Sequence, residues 1–253
     1  MLSKAKIKLI QSLELKKKRK EERLFVAEGP KVVGDLLPYF PCRLLIAVPE
    51  WLHTHQHPDA QEIIEVTQEE LCKASFLKTP QEVLALFEIP TTTLPDDLPQ
   101  KELCLALDDV QDPGNLGTII RLADWFGIRH IICSKGTTDA FSPKTVQASM
   151  GAVARVSVHY TDLPEYLSAI RSSHPEVPIY GTFLEGENIY NEQLTPNGII
   201  VMGNEGNGIG PAVERCITNK LFIPNYPEGC VTSESLNVAI ATAITCSEFR
   251  RRK

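Results

Sequence analysis

From Leu24 to Pro90, short β-rich apolar runs alternate with helical ones: LFVAEG, PKVVGDLLPYF, RLLIAVP, PEWLHTH, EIIEVT, QEELCKASFL and EVLALFEIP. This alternation predicts a small α/β layer domain over residues 1–90, preceded by a basic helical start. The stretch PTTTLPDDLPQ, Pro90 to Gln100, then breaks the periodicity with three prolines and few apolar positions, and reads as a linker over 91–100. A second alternating series fills 101–253. Its strand candidates are ELCLALDDV, HIICSK, RVSVHY, PIYGTFL, GIIVMG and KLFIPN. Between them lie the helical stretches NLGTIIRLADWFG, SPKTVQASMGAVA, DLPEYLSAIRSSH and GPAVERCITN, and ESLNVAIATAITCSEFRRR closes the chain. Near-continuous apolar strands separated by helices predict an α/β fold, with a mostly parallel sheet covered by helices on both faces.

Sheets of this kind bind ligands beyond the carboxyl ends of their strands, which directs attention to three segments. In the first, Asp108 to Gly127, the turn Asp112-Pro113-Gly114 leaves Asn115 as an N-cap, and Leu116, Ile119, Ile120 and Ala123 supply a buried helix face. Arg121 interrupts that apolar stretch. It either pairs with Asp124 three residues on, a surface arrangement of low value, or is kept for chemistry. In the second, Ile199 to Glu214, an apolar strand enters a loop with glycines at 203, 206, 208 and 210, and a helix starts at Pro211. Glycines let a ligand approach the backbone, but the GK[ST] ending of a phosphate loop is absent and no early strand precedes a dinucleotide fingerprint. Glu205, among those glycines, reads equally as an exposed turn residue. In the third, Leu221 to Ile244, a strand ends at Ile223-Pro224 and a helix begins near Ser233 to Ser235, which read as its caps. Asn237, ahead of VAIATAI, is either a structural asparagine satisfying backbone or a functional one.

Composition narrows the class without changing this picture. The chain of 253 residues is 43% hydrophobic and 23% charged, as ordinary globular proteins are, and no run is long and apolar enough for a membrane span. The basic N-terminus lacks the apolar core of a secretory signal. The seven cysteines are odd in number, scattered and free of CxxC pairs, which points to a reducing cytoplasm with neither a disulfide framework nor a zinc site; no metal is expected. The net charge of −6 argues weakly against nucleic acid, but it hides a clustered distribution. Lys4, Lys6, Lys8, Lys16, Lys17, Lys18, Arg19, Lys20 and Arg23 crowd the start, and Arg250, Arg251, Arg252 and Lys253 the end. Such clusters form either a phosphate-binding surface or a solvated helix face with a frayed tail.

The three segments, in this order, resemble the motifs of the SpoU/TrmH family of RNA ribose methyltransferases, part of the SPOUT class. Asn115 and Arg121 match its first motif, an asparagine followed six residues later by an arginine. Gly203, Glu205, Gly206 and Gly208 match the second, a strand followed by G-x-E-G-x-G. Ile223, Pro224, Ser235, Leu236, Asn237 and Val238 match the third, I-P followed by S-L-N-V at the last helix. The resemblance runs from about Leu103 to the C-terminus. A weaker likeness, in FVAEGPKVV and TPQEVLALFE, extends to the RNA-substrate-binding domain that many members carry over the stretch corresponding to residues 1–90. The loop from Pro224 to Ser235 is several residues longer than in typical members.

The resemblance implies a sheet threaded as a deep trefoil knot in 101–253, a feature no periodicity argument predicts. It implies S-adenosylmethionine as cofactor, held largely by backbone groups around Thr182, Phe183, Gly203, Asn204, Gly208, Ile223 and Leu236. It implies a catalytic set of Asn115, Arg121, Glu205, Ser235 and Asn237, and a homodimer through the catalytic domain with each site completed near the interface. The expected reaction is methyl transfer to a ribose 2′-hydroxyl of a structured RNA, rRNA by preference with tRNA open, in the cytoplasm and away from membranes. Lys16, Lys17, Lys18, Arg19, Lys20 and Arg121 are the expected RNA contacts. Arginine stays protonated in nearly every setting, so Arg121 is expected chiefly to anchor a phosphate and stabilise developing alkoxide charge; its use as the base is the alternative. A non-catalytic RNA-binding protein is the rival reading, as is a base methyltransferase of the same class.

Overall fold

In the computed structural model the described residues are 2–55, 58–95, 97–227, 230, 233 and 235–251. The basic N-terminus forms two short helices, α1 (Lys4–Ser12) and α2 (Lys16–Glu22), the first capped by the hydroxyl of Ser3. There follow β1 (Leu24–Glu28), α3 (Pro30–Leu36), β2 (Cys42–Ala47), α4 (Pro49–Thr54), β3 (Ile63–Glu65), α5 (Gln68–Ala74) and β4 (Val83–Glu88). The strands form one sheet in the order β1-β4-β2-β3, antiparallel except for the β2–β3 pair. Thr67 and Glu70 form a reciprocal capping box at α5, satisfying two otherwise orphaned N–H groups. β1 is buried at all five positions and Phe25 packs edge-on to Phe40 and at a tilt to Phe87 and Phe141, so this unit carries its own aromatic core.

Residues Thr92–Thr138 and Arg155–Lys253 form a second unit, where α6 (Leu98–Lys101), β5 (Leu103–Leu107), α7 (Pro113–Trp125) and β6 (His130–Ser134) come first. The expected linker over 91–100 is therefore only partly a linker. Leu98 and Pro99 are buried in α6, and the Asn197 side chain donates to the Gln100 carbonyl at 2.9 Å. A second correction concerns the boundary. Residues Asp139 to Ala154, with α8 (Pro143–Ser149), cluster with the N-terminal unit, so the 101–253 segment is not one continuous domain. Phe141 packs at a tilt against Phe25 there, and α8 stops short of its apolar pattern because Met150 and Gly151 both take positive φ, 51° and 87°.

The chain returns through β7 (Ser157–Thr161), α9 (Leu163–Ser173), β8 (Ile179–Phe183), β9 (Glu187–Asn188), β10 (Gly198–Met202), α10 (Pro211–Glu214), β11 (Asn219–Phe222) and α11 (Val238–Arg251). Among the described residues the second sheet has seven strands, ordered β7-β6-β5-β10-β8-β11-β9, and every pairing is parallel. β5 and β10 lie at its centre with all five residues of each buried, which explains their unbroken apolar sequence. Ile132, Leu167, Ile179, Ile199, Val201 and Val213 meet in the core beside them. Since the strands run parallel, the loops after β5, β8, β10 and β11 all leave from one end of the sheet. No helix is long and apolar enough to cross a membrane among the described residues.

Candidate active site

The loop after β5 is fixed from both sides. Asp112, not Asn115, caps α7: its carboxylate accepts the Asn115 N–H at 2.8 Å, and Pro113 occupies a first-turn position where no N–H is needed. The Asn115 side chain, in the first turn of the helix, is thereby released from capping. It donates to Glu205 Oε1 at 3.0 Å and accepts from Asn237 Nδ2, also at 3.0 Å. Asn237 is itself the cap of α11, with Oδ1 accepting from Ala239 N at 2.9 Å and Ile240 N at 3.3 Å. The helix thus starts at Val238, and the Ser233–Ser235 cap expected from sequence does not form it; Glu234 lies outside the described residues.

Glu205 accepts from two backbone N–H groups as well, Gln111 and Asp112, each at 3.2 Å. Burial pushes its carboxyl up, but the Asn115 amide and the N–H groups of Glu205 itself, Gln111 and Asp112 together outweigh that, and its pKa lies below the ordinary glutamate value. Three of the five expected catalytic residues, Asn115, Glu205 and Asn237, therefore meet in one hydrogen-bonded line at the carboxyl end of the parallel sheet. Arg121 is on the same helix as Asn115, exposed, and without a hydrogen bond or ion pair among the described residues. The pairing with Asp124 does not occur, because Asp124 is taken by Arg155 at 2.7 Å. Ser235 is exposed two residues before Asn237 and is not brought into this line.

One family model, the SpoU rRNA methylase family, matches residues 102–247, more than half of the chain. The chain belongs to that family. A second model, the MRM3-like substrate binding domain, matches residues 4–85. Along almost its whole length the chain is similar to the 23S rRNA (guanosine(2553)-2'-O)-methyltransferase RlmP of Bacillus subtilis, with 30% identity over 97% of this chain and 96% of that protein. Its structure is similar to a TrmH-family structure from Porphyromonas gingivalis, with TM-score 0.90, 44% identity and both chains fully covered. An rRNA methyltransferase from Sinorhizobium meliloti, solved with AdoMet bound, gives TM-score 0.86 at 33% identity, covering 100% of this chain and 96% of that one.

A SpoU-family chain needs room for that cofactor, and the fit can be judged from the strand ends. β10, β8 and β11 are neighbours, and Thr182, Phe183, Gly203 and Ile223 stand where they end. The side chains at the end of β8 are engaged within the sheet: the Thr182 hydroxyl reaches the Val201 carbonyl at 3.5 Å, and the Phe183 ring packs beneath Lys220 Nζ, 4.7 Å from its centroid. What these positions can offer is backbone, together with the apolar side chains of Ile223 and Leu236, the latter 48% exposed. That suits a flat, largely apolar nucleoside held by main-chain groups.

The glycines of the β10 loop serve the loop first. A Cβ on Gly203 would lie 2.2 Å from Gly208 C, so the chain folds back on itself there, and Gly208 holds φ +67°. Asn204 N and O both pair with Gly208, at 2.9 and 3.0 Å. The sequence reasoning missed Asp108, whose carboxylate accepts the Gly210 N–H at 2.8 Å, and Asp109, which takes φ +56°. Burial raises the Asp108 pKa despite that hydrogen bond. Two adjacent aspartates at a strand's carboxyl end were the available signal for both.

The expected RNA contacts lie in the N-terminal unit, Arg121 apart, and one of them is corrected. Arg19 is 2% exposed: it holds Asp139 at 2.7 Å and donates to the carbonyls of Leu13 and Glu14, both at 2.7 Å. It fastens the end of α1 to the Asp139 segment and has no donor turned to solvent. Lys18 pairs with Glu21 at 2.7 Å, while Lys16, Lys17 and Lys20 are exposed. No group of three or more His, Cys, Asp or Glu is placed to hold a metal among the described residues.

Proposed function

We propose that this protein transfers a methyl group from S-adenosylmethionine to a ribose 2′-hydroxyl of ribosomal RNA. The Glu205–Asn115–Asn237 line, with Arg121 six residues further along α7 and unpaired among the described residues, carries this reading. None of the three line residues is buried in a core, and together they present hydrogen-bond donors at the end of the sheet where ligands bind, with Arg121 further along α7. The full-length likeness to a 23S rRNA 2'-O-methyltransferase supports rRNA over tRNA. S-adenosylmethionine, when bound, supplies an electrophilic methyl on a sulfonium.

The protein's own residues position the nucleophile. Asn115 and Asn237 each spend one amide N–H in the line and keep one for the ribose. Ser235 adds a hydroxyl at the same helix start. Arg121 anchors the phosphate next to the target ribose and stabilises charge as the hydroxyl loses its proton. Glu205, held ionised below its ordinary value, serves as a fixed acceptor and is too weakly basic to deprotonate a ribose hydroxyl. Backbone groups at Thr182, Phe183, Gly203, Gly208, Ile223 and Leu236 hold the cofactor, and the order β5-β10-β8-β11 supports a knotted path around it.

The N-terminal unit binds the RNA through Lys16, Lys17, Lys18 and Lys20, and two copies associate through α7 and α11 in the cytoplasm. Those helices pack together and turn Trp125 and Ile240 outward, 83% and 54% exposed, on surfaces that a second copy would cover. Incubation of a 23S rRNA transcript with methyl-labelled S-adenosylmethionine tests the reading. Label is expected in an alkali-resistant 2′-O-methyl dinucleotide; label on a base, or none from folded protein that binds the cofactor, overturns it.

A further inference from the structure

The β5 and β10 loops are tied by a contact that the reaction itself does not use. Asn204 Nδ2 donates to the Asp109 carbonyl at 2.7 Å, while Asn204 Oδ1 accepts from Gly206 N at 2.9 Å and Asn207 N at 3.0 Å. With both backbone groups paired to Gly208 as well, Asn204 keeps only one amide N–H outside these bonds. Asp109 is equally constrained. Its N–H donates to Ser134 Oγ at 2.9 Å, and the Ser134 hydroxyl donates back to its carboxylate. A left-handed backbone is unusual for a residue with a side chain, and here it aims the Asp109 carbonyl at Asn204. Thr137 lies beside Ser134, and its hydroxyl donates to the Leu107 carbonyl at 3.1 Å. A hydrogen-bonded path therefore runs from Ser134 at the end of β6 through Asp109 to Asn204, and its covalent neighbour Glu205 continues it through Asn115 to Asn237 at the start of α11.

We infer that Asn204 and Asp109 are positioning residues, which fix Glu205 beneath Asn115 so that the amide line is set before substrate arrives. The inference rests on the methyltransferase reading for its kinetic consequence, but not for its structural one. It also gives Asn204 a scaffold role: its Oδ1 is taken by the loop and one Nδ2 N–H by Asp109, which leaves a single amide N–H for any ligand. Loss of the Asn204 donor leaves Glu205 free to leave the N–H groups of Gln111 and Asp112. A shift of that size in a preorganised site costs on the order of 10- to 100-fold in turnover.

The test compares the wild type with Asn204→Ser, a neutral change that keeps an oxygen to close the turn, and with Ser134→Ala, which loosens Asp109 from outside the loop. Carbon-13 labelling of glutamate carboxyls gives the Glu205 pKa by NMR titration without any turnover. Calorimetry gives S-adenosylmethionine affinity, and labelled methyl transfer to 23S rRNA gives kcat and KM. Glu205 is expected to titrate higher in both variants, most in Asn204→Ser, with kcat down about 10-fold or more and cofactor Kd within 2-fold. An unmoved Glu205 titration in the folded variants overturns the proposal, and so does a kcat loss matched by weaker cofactor binding. If Asn204→Ser fails to fold, Ser134→Ala decides by the same readouts. A wild type that methylates no rRNA, with Glu205 still shifting in the variants, would sink the function and leave the positioning intact.

Discussion

The basic helix α2 and the Asn115–Glu205–Asn237 line are built in opposite ways. In α2, five basic residues stand side by side in sequence, and the helix scatters them around its surface, one inward and the others toward water. In the line, residues up to 122 positions apart are drawn together by loops that leave one end of a parallel sheet. Crowding along the chain therefore says little about shared purpose, because a helix separates neighbours by about 100° each. Convergence at strand ends says more, because no local preference brings three polar side chains there. Arg19 shows the cost of ignoring this: it is the best phosphate ligand of the run by chemistry, and it is buried against Asp139.

The largest effect that separates the two regions belongs to Arg19. Arg19→Met removes one partner of a buried pair and leaves Asp139 unmatched, at a cost of about 3–5 kcal/mol. For a protein of this size that lowers Tm by about 2–4 °C per kcal/mol, read by thermal denaturation. Unchanged Tm with weakened RNA binding would instead return Arg19 to the surface. Arg121→Ala reverses the pattern. Its guanidinium makes no hydrogen bond or ion pair among the described residues, so Tm is expected to hold while kcat for rRNA methylation falls about 10²–10³-fold with cofactor affinity unchanged. Intact turnover would remove Arg121 from the site.

The sequence carried the second sheet well because its strands are buried on both faces and read as continuous apolar runs, with helices of ordinary length between them. It carried the N-terminal α/β unit for the same reason of alternation. Caps were harder. Asn115 and Ser235 both look like caps locally, but Asp112 precedes a proline and Asn237 reaches two N–H groups of α11, so each displaces the nearer candidate. The excursion of Asp139 to Ala154 was invisible, since a helix between two strands reads as an ordinary crossover wherever it packs. The roles of Asn115 and Asn237 depended on the resemblance. Nothing in their local spacing says that one amide will meet the other.

Two smaller effects probe the line from its ends. Asn237→Ala deletes the cap of α11 and is expected to cost about 0.5–2 kcal/mol of stability. If the same variant loses activity beyond what Tm explains, its free N–H faces the ribose. Glu205 supplies a pH signature. Its folded pKa is depressed, so its contribution is complete above the unfolded glutamate value of about 4.3 and is lost as pH falls through the lower folded value. The stability gap between wild type and Glu205→Gln, measured by urea denaturation, should therefore be constant near neutrality and close only at acid pH. A gap that closes above pH 5 would mean the hydrogen bonds do not hold the carboxylate.

The smallest effect on folding tests what remains of α2. Lys17 and Lys20 are exposed, and Lys17 sits 3.9 Å from Glu21, a surface pair of little worth. Replacing both by alanine should change stability by less than about 0.5 kcal/mol. Each lysine that neutralises a phosphate contributes about 0.7–0.9 to the slope of log affinity against log salt, so the double variant should flatten that slope for a 23S rRNA transcript by about 1.4–1.8. The loss should fall equally on any RNA sequence, because phosphate contacts position without reading bases. A slope unchanged within error would mean that α2 is a solvated helix face, with Arg19 its buried base, and that the RNA path runs elsewhere over the N-terminal unit.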